Sequence, residues 1–150
     1  MTRAPSLKTR ALGYLARREH SRLELERKLA RHAQTPEELS SMLDTLEQRG
    51  FLSATRMVEH VMHVRRGRFG SQRIVHELRE KGIAENLIAA VLPNIKETEQ
   101  ENAREVWRKK FGVIPADAKE LGRQMRFLVG RGFSTEVIRQ VLRYSDKEEA

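Results

Sequence analysis

Two stretches decide the reading: residues 78–92, LREKGIAENLIAAVL, and residues 128–142, LVGRGFSTEVIRQVL. Shifted by 50 positions, Leu78 falls on Leu128 and Lys81-Gly82-Ile83 on Arg131-Gly132-Phe133. Leu87-Ile88 and Val91-Leu92 then fall on Val137-Ile138 and Val141-Leu142. In each copy a cation closes a helical pattern, a glycine follows, and an apolar residue comes next. That is the chemistry of a Schellman stop. The cation suits the negative helix end, the glycine takes positive φ, and the apolar residue folds back. Arg49-Gly50-Phe51 offers a third stop of the same kind. Stops repeated at helix-sized spacing mark small helical units set side by side.

Outward from these stretches, nearly every segment carries apolar residues three and four apart, which places them on one helix face. Leu7, Ala11, Leu12 and Leu15 form one stripe, Leu25 and Leu29 another, and Leu39, Met42, Leu43 and Leu46 a third. Val58, Val61 and Met62 precede Ile74, Val75 and Leu78. Ala103, Val106 and Trp107 precede Leu121, Met125 and Leu128. The pattern predicts nine helices in three sets of three, with units at 1–53, 54–95 and 96–150. Helix starts are signalled too. Thr35-Pro36-Glu37-Glu38 and Ser21 with Glu24 have capping-box spacing, and Ser53, Ser71 and Ser134 are N-cap candidates.

The chain has 150 residues, no cysteine, 33% charged residues and only 5% aromatics. That composition suits helices that each bury one stripe rather than one thick core. Disulfides and thiol chemistry are excluded. No run reaches the ~18 apolar residues of a membrane span, and Met1 to Arg10 lacks the apolar centre of a signal peptide. A soluble cytoplasmic protein without membrane contact is expected. No Walker loop or dinucleotide fingerprint is present, and the carboxylates are scattered among bases. The expectation is a protein that is not an enzyme and uses no cofactor or metal. His60 and His63 sit three apart but lack a third ligand, and His20, His32 and His76 read as surface or half-buried histidines.

The formal net charge is +8, spread along the chain, which points to a polyanionic partner. Arg65, Arg66, Arg68 and Arg73 lie between Glu59 and Glu77 with no acid between, and are read as converging on one turn. Arg123, Arg126 and Arg131 fill a second acid-free window, and Arg108, Lys109 and Lys110 form a third cluster. The first third offers Arg17, Arg18, Arg22, Arg27 and Lys28, partly offset by acids. Gly67-Arg68-Phe69-Gly70 has the GxxG form that clamps a nucleic-acid backbone in KH domains. Without a sheet, however, it reads as a helix connector anchored by Phe69. Tyr14, Phe69 and Tyr144 are the rings placed at the surface. Trp107, Phe111, Phe127 and Phe133 are placed in the core, so a dedicated base-stacking platform is not expected.

Taken in order, several groups of residues resemble the RecX family, regulators of bacterial RecA recombinase. They are Leu15-Ala16-Arg17-Arg18-Glu19-His20-Ser21 with Glu24-Leu25 and Lys28-Leu29, then Arg66-Gly67, Gly70, Arg73-Ile74, Glu77-Leu78 and Lys81-Gly82-Ile83. Phe127-Leu128, Arg131-Gly132-Phe133 and Val137-Ile138 complete the set. Ser53 stands where the family often has an acidic cap; serine caps as well. The resemblance implies an all-α, elongated, curved array of three tandem three-helix units. It implies a protein that lodges in the groove of the RecA–DNA filament and inhibits ATPase, strand exchange and co-protease activity, and a monomer is expected. It adds Arg79 and Lys81 to the candidate contacts. Nucleic acid, single-stranded or duplex, is a partner within that filament. The rival reading is direct DNA binding by helix-turn-helix units. Against it, Glu85 to Ala90 carries one acid and no base.

Overall fold

The computed structural model describes residues 4–149, with side chains to residue 143. Tyr144's side chain therefore lies outside the described residues. Among those described, nine α-helices and one 3-10 turn account for all regular structure. They are α1 Leu7–Arg17, α2 Arg22–Leu29, the 3-10 turn Ala30–His32, α3 Pro36–Gln48, α4 Ala54–Arg65 and α5 Ser71–Glu80. α6 Glu85–Glu97, α7 Glu99–Lys110, α8 Ala118–Gly130 and α9 Thr135–Glu149 follow. The chain forms two compact units. One holds the residues up to His60 with Arg79–Ala84, and the other holds Val61–Leu78 and everything from Glu85 onward.

Helix ends follow local chemistry. Ser21 and Glu24 close a reciprocal capping box on α2. The side chains of Ser6, Thr35, Ser53, Asp117 and Ser134 accept from backbone N–H groups of α1, α3, α4, α8 and α9. Two expected devices differ. Glu38 accepts from the Gln34 N–H, one residue ahead of the cap, so α3 has no reciprocal box. Ser71 is the first residue of α5, not its cap; its N–H and hydroxyl both donate to Glu99 Oε1, at 3.1 and 3.0 Å. A carboxylate from α7 thus satisfies the first free N–H of α5 and takes the serine hydroxyl as a second donor.

All three Schellman glycines have positive φ, and Gly112 ends α7 in the same way. At α3 the Gly50 N–H donates to Glu47 O and the Phe51 N–H to Leu46 O. Gly132 and Phe133 repeat this pair on Val129 and Leu128. Ile83 and Phe133 fold back and are buried, but Phe51 is 49% exposed and Leu52 takes its place in the core.

The first unit buries Ala11, Leu25, Leu29, Leu39, Leu43, Leu46 and Leu52 together, with Leu7, Leu12, Leu15 and Met42 around them. The second packs Ala103 and Trp107 of α7 against Leu128, Phe133, Ile138, Val141 and Leu142. Leu121 was expected on this stripe but is exposed. Its neighbour on the inner face is the buried Gln124. The Gln124 Oε1 accepts from Trp107 Nε1 at 2.8 Å, and its Nε2 donates to Val113 O at 3.0 Å. A buried amide with both ends bonded avoids the penalty of lost hydration. His20, expected at or near the surface, is buried as well.

Candidate functional site

The site begins at the turn Arg66–Gly70, between α4 and α5. Gly70 lies directly against the Arg131-Gly132 stop. The Gly70 N–H donates to Arg131 O at 2.8 Å, and the Gln72 N–H donates to Gly132 O at 3.1 Å. A Cβ on Gly70 would overlap the backbone of Gly132 and Phe133, and one on Gly132 would overlap Arg73. Two glycines far apart in sequence therefore let two chain segments touch. The GxxG is a connector, and its second glycine makes this approach possible.

This contact brings the acid-free windows together on one face of the second unit. Phe69 is half-buried, with the guanidinium of Arg73 at 4.2 Å from its ring centre, Arg131 at 5.4 Å and Arg65 at 5.7 Å. Arg131 also lies 5.2 Å from the ring centre of Phe127, and Lys110 lies 5.4 Å from the same ring. Phe127 meets Phe111 edge to face, and Arg123 sits by Phe111 at 5.5 Å. Phe127 and Phe111 are thus half-buried rings on the rim of the core rather than inside it. Each cation faces the negative quadrupole of a ring.

Beside this ladder runs an open groove of about 470 Å³, lined by Gly67, Arg68, Val106, Lys109, Lys110, Phe127 and Arg131. Four of these residues are cationic and none is acidic. Arg68, Lys109 and Lys110 are exposed. No metal-holding group of three His, Cys, Asp or Glu side chains occurs among the described residues. His60 and His63 are both exposed.

The remaining sequence candidates are placed differently. Arg65 Nε pairs with Glu77 at 2.9 Å. Arg66 turns away from the groove, donating to Thr98 Oγ1 and Asn94 O, while its own carbonyl accepts from Asn102. Arg73 also reaches Gly130 O. Of the four arginines expected to converge, Arg65 and Arg73 meet at Phe69, Arg68 lines the groove, and Arg66 is engaged by Asn94 and Thr98. Arg123 pairs with Glu120, and Arg126 is exposed with its guanidinium over Gly122. Arg79 is exposed on α5. Lys109, Lys110, Val106 and Phe127 complete the groove. The local signal for two of them was the basic run Arg108-Lys109-Lys110.

In the first unit most cations are tied into the fold. Arg22 reaches Asp44 at 2.7 Å, Glu47 at 3.0 Å and Glu26 at 3.4 Å. Arg18 and Lys81 share the carboxylate of Glu24, at 2.9 and 3.2 Å. Burial would raise that carboxyl's pKa, but hydrogen bonds from Arg18 and the Ser21 N–H, with the charge of Lys81, hold it at about 2. Lys28 sits 2.9 Å from His20 Nε2 and over the ring of Tyr14. Burial pushes the His20 pKa below its usual value. The neutral ring donates from Nδ1 to Arg18 O and accepts from the Lys28 ammonium at Nε2. Arg17 is exposed on α1.

The fold and the groove define a class: a protein of small helical units that presents a cationic groove. Comparison with known proteins narrows it. Residues 58–92 match the second three-helix domain of RecX, and residues 97–142 match the third. The chain is 55% identical over 143 residues to the regulatory protein RecX of Leptothrix cholodnii, covering 95% of this chain and 91% of that one. It is 49% identical to that of Herbaspirillum seropedicae, over 93% and 92% of the two chains. The crystal structure of RecX from Lactobacillus salivarius superposes with a TM-score of 0.80 at 20% identity, covering 93% of this chain and 94% of that one. The chain belongs to the RecX family of regulatory proteins.

Proposed function

We propose that this protein is an inhibitory modulator of RecA recombinase. It binds in the groove of the RecA–DNA filament and restrains ATPase, strand exchange and co-protease activity. It acts as a cytoplasmic monomer built from units at 1–53, 54–95 and 96–150. The observation that carries the reading is the acid-free cationic groove on a RecX-family chain. A filament presents protein and phosphate charge along its length. Small linked units can touch successive protomers, so weak contacts multiply into strong binding. Exposed cations raise the rate of encounter and make binding weaken with salt.

The test is RecA's DNA-dependent ATP hydrolysis and strand exchange, measured with increasing amounts of this protein at ~150 mM salt. Both are expected to fall, with direct binding to RecA-coated filaments in parallel. Unchanged ATP turnover would remove the proposal. Tight binding to bare duplex, with no added effect of RecA, would replace it with direct DNA binding.

A further inference from the structure

We propose that the groove between the α4–α5 turn, α7 and α8 holds a phosphodiester backbone by its phosphates alone, without reading or stacking its bases. The inference rests on the modulator reading for its biological setting, but its physical argument is separate. The lining supplies four cations, Arg68, Lys109, Lys110 and Arg131, and no carboxylate. An anionic chain thus meets no like charge. The groove is open to solvent.

The aromatic rings decide between phosphate and base. A single-strand platform offers bare ring faces to bases. Here the half-buried rings already have cations beside them. Arg73, Arg131 and Arg65 gather on Phe69, and Arg131 and Lys110 on Phe127. A base can stack there only by displacing a cation that a phosphate would retain. The rings therefore act as mounts that hold the cations in place. Arg131 lies beside two rings, 5.4 Å from the centre of Phe69 and 5.2 Å from that of Phe127, and its backbone is held by the bond from the Gly70 N–H to its carbonyl. Guanidinium groups bond phosphate oxygens in pairs, and the two lysines add point charges along the strand. An acidic peptide shares the charge but not the regular spacing of a phosphodiester chain, so it is the competing occupant in the test.

Fluorescence anisotropy without RecA tests this, using oligothymidylate, a mixed-sequence strand, an abasic phosphodiester chain of equal length, and polyglutamate. The three phosphodiester chains are expected to bind within about twofold of each other, and polyglutamate more weakly. Lys109→Ala with Lys110→Ala should weaken all three by about tenfold at ~150 mM salt. The slope of log affinity against log salt should become shallower by about 1.4, two phosphates at ~0.7 each. Arg68→Glu, on an exposed turn, should act in the same direction. Lys8→Ala with Arg49→Ala removes equal charge from exposed sites of the first unit and should change affinity by less than about twofold. Circular dichroism melts check that each variant is folded.

Three outcomes overturn the proposal: strong loss on the abasic chain, tighter binding of polyglutamate, or equal loss from the control pair. RecA inhibition is measured on the same variants. Intact inhibition with lost strand binding leaves the modulator reading standing. Intact strand binding by a protein that never affects RecA removes the modulator reading and leaves the groove assignment in place.

Discussion

The contact between Gly70 and Gly132 can be taken apart with four alanine substitutions in the second unit. Gly67 has ordinary φ and open space, so Gly67→Ala should be neutral or stabilise by about 0.4–1 kcal/mol through the unfolded chain. Gly112 has φ +68° and a single 3.1 Å neighbour, the Arg108 carbonyl oxygen. Gly112→Ala should cost about 1–2 kcal/mol, the penalty of an L-residue in the left-handed region. Gly70 has no positive φ, but its added Cβ would press on three backbone atoms of Gly132 and Phe133. Backbone yields less than a side-chain end, so Gly70→Ala should cost about 1–3 kcal/mol from overpacking alone. Gly132→Ala carries both effects, φ +88° and overlap with Arg73, and should cost about 2–5 kcal/mol. Urea denaturation followed by Trp107 fluorescence reads all four, because Trp107 is the chain's single tryptophan and lies in this unit's core. If Gly70→Ala matched Gly67→Ala, the two backbones would not touch. If Gly132→Ala cost no more than Gly112→Ala, the steric argument would fail even with the left-handed turn intact.

Two further outcomes follow from single side chains. Arg66→Ala should destabilise the second unit by about 1–3 kcal/mol by removing two hydrogen bonds from a charged donor, to Asn94 O and Thr98 Oγ1, while an exposed contact residue such as Arg68 should cost almost nothing as alanine; equal effects in urea denaturation would place Arg66 in solvent. The Glu24 carboxyl is held at about 2 in the fold against 4.5 for the free group, so its contribution is complete above about pH 4.5 and fades as pH falls toward 2. The stability gap between wild type and Glu24→Gln should therefore be widest at neutral pH and narrow through that window, and a gap independent of pH would refute the Arg18–Glu24–Lys81 arrangement.

Helix starts and stops were legible because their chemistry is local. Ser21 with Glu24, Thr35 before Pro36, and the Gly82 and Gly132 stops can be read within a few residues, and the 50-residue repeat marks equivalent places in two units. What stayed hidden depends on partners distant in sequence. Ser71 has every local mark of an N-cap, yet Glu99, 28 residues on, supplies the oxygen that receives its two donors. The arginine window from 65 to 73 is free of acid only along the chain; Glu77, Asn94 and Thr98 come to it through folding. Phe127 has helical spacing that suits a core position, and only the approach of Lys110 and Arg131 turns it into a mount for charge.

Lys81 and Arg131 show why net charge is a weak guide to the site. They occupy the same place in the repeat, the cation before the stop glycine. Lys81 is matched by Glu24, a carboxylate that stays ionised in the fold far below neutral pH. Part of the lysine's charge is cancelled there, although Arg18 shares the same carboxylate, and using the lysine would leave that carboxylate with one cation fewer. Arg131 is matched instead by two ring faces, which stabilise a cation through their quadrupoles without cancelling its charge. Its full positive charge remains available at the groove. The two solutions meet the same local need, satisfying a cation at a helix end, yet only the rings leave the cation's own charge without an anion beside it. The second unit's groove extends the same arrangement, since four cations line it without a carboxylate among them.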